Sequence, residues 1–106
     1  MNPRDRYDEI CDDLAARAPD IELSQMMGMP CVKAGGKMVI GYARSGEMVF
    51  KLPDESEHEK ALGLDGAKLF DPGKNGRPFK EWVQVPFAHA GEWAGLADTA
   101  IRLRAG

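Results

Sequence analysis

The chain has 106 residues, 43% of them apolar and 29% charged, which suits one domain around one core and excludes a disordered chain. Its 14 basic and 17 acidic side chains leave a net charge of −3, spread evenly: residues 1–53 hold 7 basic and 8 acidic groups, residues 54–106 hold 7 and 9. Neither half carries the positive excess that most duplex-binding domains set against phosphate.

The first predicted element is a helix over residues 4–17, with Asn2 as N-cap and Pro3 at the first helical position. Tyr7, Ile10, Cys11, Leu14 and Ala18 recur at three- and four-residue steps as one apolar stripe, and Pro19-Asp20 ends the element. Residues 21–52 read as an antiparallel meander. Ile21 and Leu23 fit a short strand, and Gly28, Pro30 and Gly35-Gly36 punctuate the stretch before Lys37. Residues 37–42 and 47–52 form a hairpin around Ala43–Gly46, with Met38, Ile40 and Tyr42 on one face of the first strand and Met48, Phe50 and Leu52 on one face of the second. A short helix opens at Asp54 and stops at Gly63.

Residues 67–70 read as a short strand, 71–78 as a glycine- and proline-rich loop, and 79–85 as a further strand. The last element is a helix over 89–103, with Trp93, Leu96, Ala97, Ala100 and Ile101 as its apolar stripe. The predicted class is α+β: an antiparallel sheet of about five strands, packed with N-terminal and C-terminal helices and a short middle helix, in a single domain over residues 1–106.

The residues that carry chemistry elsewhere are scattered here. His58 and His89 stand in no HExxH or cysteine-rich pattern, and Cys11 and Cys31 form no CxxC pair, so neither metal nor cofactor is expected. Ser24, Ser45 and Ser56 lack a nucleophile-elbow context. Met26, Met27, Met29, Met38 and Met48 read as a soft, adaptable core. The N-terminus has no apolar segment of the secretory kind and no stretch approaches roughly 18 apolar residues, so a cytoplasmic protein without membrane association is expected.

Residues 70–82 are the most unusual segment. Lys74, Arg77 and Lys80 gather beside Phe79 and Trp82, a pattern that suits a recognition loop of Lys74, Arg77, Phe79 and Lys80. Trp82 is expected to be mostly buried and to anchor residues 76–86 to the sheet.

Three segments resemble the N-terminal domain of the TfoX/Sxy family, which has a YjbR-like fold. They are Met26-Met27-Gly28 with the glycine turn before Lys37-Met38, then Glu47–Leu52, then Gly76-Arg77-Pro78-Phe79-Lys80-Glu81-Trp82-Val83-Gln84-Val85-Pro86. The last, similar to the family's Gly-Arg-Pro-Met-Lys-Glu-Trp stretch, is the most specific. The resemblance covers about residues 7–103 and implies a single-domain member without the C-terminal helical domain of long relatives, which are associated with transcriptional control of DNA uptake.

Together the residues and the resemblance favour a non-enzymatic regulatory or adaptor domain that binds a protein partner or itself. Two alternatives remain open. One is nucleic-acid binding through the basic loop at 74–80, with weak or no affinity for duplex DNA. The other is binding of a small anion, or an uncharacterised enzymatic activity.

Overall fold

The computed structural model describes residues 2–26, 28–71, 76 and 78–105. Helix α1 (Pro3–Arg17) is followed by strands β1 (Ile21–Met26), β2 (Met29–Ala34), β3 (Lys37–Tyr42) and β4 (Met48–Lys51). Helix α2 (Glu55–Leu62), strands β5 (Lys68–Phe70) and β6 (Phe79–Val85), a 3-10 turn at Phe87–His89 and helix α3 (Ala90–Ala105) complete the chain. Among the described residues six strands form one antiparallel sheet, ordered β1-β2-β3-β4-β6-β5. No helix among the described residues is long and apolar enough to cross a membrane.

The α+β class and the three helices agree with the sequence reading, but there are six strands where about five were expected. The additional strand is β2, which Pro30 obscures. A proline inside a central strand normally costs a ladder hydrogen bond. Here Pro30 stands opposite Gln25 at the end of β2, beyond the Cys31↔Gly41 pair where the ladder to β3 begins. Its missing N–H therefore removes nothing from the β2–β3 ladder.

Local chemistry fixes the element ends. Asn2 accepts a 2.8 Å hydrogen bond from the Asp5 N–H at the start of α1, and Asp54 accepts one of 3.0 Å from Glu57 at the start of α2. The β2–β3 turn uses Gly35 and Gly36 at φ 59° and 83°, the left-handed pair that a two-residue hairpin loop requires.

All three helices cover the same face of the sheet. Tyr7, Ile10, Cys11 and Leu14 of α1, Ala61 of α2 and Trp93, Ala97 and Ala100 of α3 pack on Val32, Ala34, Ile40, Met48, Phe50, Val83 and Val85. Val39, the extra residue of a bulge where β3 passes β2, also enters this core. Arg17 bridges to Asp98 at 2.9 Å, tying the end of α1 to α3. The indole that lies wholly inside is Trp93, and Trp82 is only half-buried on the other side of the sheet. The expected burial of Trp82 is thus reached in part, because alternation along β6 turns it away from the helices.

Candidate functional site: the helix-free face of the sheet

Because the helices share one side, the opposite side of the sheet has no second layer among the described residues. Alternation, shifted by the bulge at Val39, places Met29, Cys31 and Lys33 of β2, Met38 and Gly41 of β3, Val49 and Lys51 of β4, Trp82 and Gln84 of β6 and Lys68 of β5 on it. Ala43, Val49 and Phe70 form a small buried cluster there, with Met29 and Trp82 packed against it. Phe79, 51% exposed, sets its ring edge-on to Phe70 at 5.9 Å between centroids. The result is a shallow apolar centre of methionine and aromatic side chains beside three lysines, Lys33, Lys51 and Lys68, with the exposed Lys80 next to Phe79 at the start of β6.

One polar group interrupts this surface. Gln84 is buried and its amide donates to the Glu47 carboxylate and, at 3.3 Å, to Ser45 Oγ; Ser45 Oγ donates to the same carboxylate at 2.8 Å. These mutual bonds tie the β3–β4 turn to β6.

Charge is segregated between the layers. Helices α1 and α2 carry Asp5, Asp8, Glu9, Asp12, Asp13, Glu55, Glu57 and Glu59 against Arg4, Arg6, Arg17 and Lys60. The strands carry Lys33, Lys37, Lys51, Lys68 and Lys80 against Glu22 and Glu81. In a chain of net charge −3 the strands are thus basic and helices α1 and α2 acidic, although Glu22 stands opposite Lys33 on the helix-free face and Glu81 pairs with Lys51 at 4.0 Å.

Of the predicted recognition residues, Phe79 and Lys80 open β6 and are exposed, while Lys74 and Arg77 lie outside the described residues. Asp71, just before that segment, accepts a 3.1 Å bond from the Gly76 N–H. The sequence reading overlooked Met29 and Met38, which it assigned to a soft core. Met48 is in the core, but Met29 and Met38 are half-buried toward the helix-free face and Met26 is exposed; Met27 lies outside the described residues. Parity alone groups Met38 with Ile40 and Tyr42, as expected from the sequence; the bulge at Val39 overturns that grouping and turns Met38 to the helix-free face opposite Lys33.

The groups with intrinsic reactivity are occupied structurally. His58 Nε2 meets the Lys80 carbonyl at 2.7 Å and His89 Nε2 meets that of Asp65 at 2.8 Å, so each ring bonds a loop or strand backbone. Burial pushes the Cys11 thiol up to about 11, and burial also raises Cys31 and the Tyr7 hydroxyl. Thiols held protonated in this way are poor nucleophiles at neutral pH. Among the described residues no three His, Cys, Asp or Glu side chains gather to hold a metal. No family model, no curated protein and no solved structure matches the chain.

Proposed function

We propose that the protein is a regulatory or adaptor domain without catalytic activity, which docks a protein partner on the helix-free face of its sheet. The partner segment is acidic and carries apolar anchors. The observation that carries this reading is the pairing, on one face, of half-buried Met29, Met38 and Trp82 and exposed Phe79 with Lys33, Lys51 and Lys68, and with Lys80 exposed next to Phe79. Methionine adapts to varied apolar anchors, and lysines beside an apolar centre select opposite charge and steer encounter. The resemblance to TfoX/Sxy N-terminal domains supports the same reading, since such a domain would act through a partner.

A second reading is single-stranded nucleic acid on the same surface, because Phe79 offers an aromatic platform beside Lys80. The same experiment separates the two. Proteins captured from native lysate by the wild-type chain are purified and titrated back against wild type, Phe79→Asp and Lys68→Glu, with a labelled oligothymidylate run in parallel near 0.15 M salt. A captured protein that binds directly and loses at least about tenfold in affinity with either variant, roughly 1.4 kcal/mol, supports the proposal. A captured protein indifferent to both variants refutes it, and submicromolar oligothymidylate binding lost with Phe79→Asp moves the function to nucleic acid.

A further inference from the structure

We infer that the chain forms a two-fold dimer by pairing β1 with β1 of a second copy, which joins two six-stranded sheets edge to edge. The surface is distinct from the helix-free face, so either proposal stands without the other.

The two edges of the sheet are unequal. β5 is three residues long and begins with Lys68, features that discourage pairing. β1 is six residues long, Ile-Glu-Leu-Ser-Gln-Met, with neither lysine nor proline. It also carries two of the most exposed large apolar side chains, Leu23 at 47% and Met26 at 45%.

The hydrogen-bond phase of β1 specifies what fits it. Gly35 N–H donates to the Asp20 carbonyl, which makes Ile21↔Ala34 a non-bonded pair of the ladder. Glu22, Ser24 and Met26 then spend their backbone groups on β2, and Ile21, Leu23 and Gln25 turn theirs outward. Ile21 N–H is taken by the Ala18 carbonyl at 3.3 Å. The free set is the Ile21 carbonyl together with both backbone groups of Leu23 and Gln25.

Four of these five groups are self-complementary. With Leu23 opposite Leu23 of an antiparallel second copy, the two leucines exchange a pair of bonds. Each Gln25 N–H then reaches the Ile21 carbonyl of the other copy, while the Gln25 carbonyl, whose donor in this register would be the Ile21 N–H already held by Ala18, stays open to water. This register sets Glu22 opposite Ser24 of the second copy, so the only charged side chain of β1 does not meet its own image.

The flanking helix has the same symmetry. A cleft of about 440 Å³ runs between α1 and the β1–β2 hairpin, lined by Arg4, Asp8 and Asp12 on one side and Leu23 and Gln25 on the other. Arg4 pairs with Asp8 at 3.0 Å, while Asp12 has no ion pair among the described residues. The two-fold axis that reverses β1 reverses α1, setting the Arg4 end of one helix toward the Asp12 end of the other. An isologous contact of this kind closes on itself and does not propagate into fibres.

The test is sedimentation equilibrium across micromolar to millimolar protein, with amide hydrogen exchange read by NMR at both ends of that range. The wild type should pass from one chain to two. The Leu23 and Gln25 amides should gain at least about tenfold protection with concentration, while Glu22, Ser24 and Met26 stay protected throughout. Leu23→Lys and Gln25→Pro should remain folded and monomeric, since neither position gives an N–H to β2. If Gln25→Pro unfolds, Leu23→Lys and the wild-type exchange pattern still decide. A wild-type chain that stays monomeric to millimolar concentration, a dimer that survives Leu23→Lys, or Leu23 and Gln25 amides that exchange freely in the dimer would each overturn the inference.

Discussion

Met29 lies across Gly41: a Cβ added at residue 41 would stand 2.8 Å from Met29 Cε and 2.9 Å from Val49 Cγ2. The glycine makes the hollow that lets a methionine close over the middle of the helix-free face. Both contacts are closer than a real Cβ tolerates, but they differ in compliance. The methionine end can swing away, whereas Val49 is wholly buried on a central strand. Gly41→Ala is therefore expected to destabilise the fold by about 1–3 kcal/mol, in the range for overpacked sites. Urea unfolding measures this, and Met29→Ala combined with Gly41→Ala should not recover the full loss, because the Val49 contact remains.

The two tryptophans should respond differently to truncation. Trp93 is fully buried between α3 and the sheet, so Trp93→Ala is expected to cost about 3–5 kcal/mol. Trp82 is half-buried against Val49 and Phe70, and Trp82→Ala should cost clearly less. Denaturant midpoints compared at equal slope give the ranking, and equal losses would contradict the layer assignment.

The thiols give a pH dependence with a definite sign. Cys11 is pushed by burial from an ordinary value of 9.0 to about 11. Above pH 9 the unfolded chain releases this proton and the folded chain retains it, so the unfolded state binds fewer protons and stability falls as pH rises. The stability due to the neutral thiol is fully present below pH 9 and is lost as pH climbs toward 11, by an amount on the order of 2 kcal/mol. Tyr7, raised in the same direction, deepens the loss at higher pH. Urea unfolding at several pH values should show a smaller decline in Cys11→Val than in the wild type. In the native protein a thiol reagent at pH 8 should label neither Cys11 nor Cys31 at the rate found in urea, since both are buried.

The helix caps should be separable from the core. Asn2→Ala and Asp54→Ala each remove one acceptor from an exposed helix start, and each should cost about 1 kcal/mol. The two caps share no partner, so the double variant should lose close to the sum. Thermal and urea denaturation of the three variants check both points.

Local rules determine much of the architecture independently of packing. The stripe of Tyr7, Ile10, Cys11 and Leu14, the Asn2-Pro3 start, the Gly35-Gly36 turn and the alternation of residues 40–42 and 48–52 are short-range patterns that the backbone follows, whereas the alternation expected through Met38 is broken by the bulge at Val39. β2 was harder to read because the effect of a proline depends on the register of its neighbours, and register is set between strands. The same limit applied to Trp82 and to the methionines. The parity of Trp82 is legible, but which parity faces the helices depends on all three helices settling on one side, and for Met38 the bulge at Val39 reverses the parity itself. That choice belongs to the tertiary structure. It buried Trp93 in place of Trp82, and it gathered Lys33, Lys51 and Lys68 from separate stretches of chain onto one surface. It also left β1 at an open edge, where the phase of its hydrogen bonds to β2 determines which backbone groups remain free.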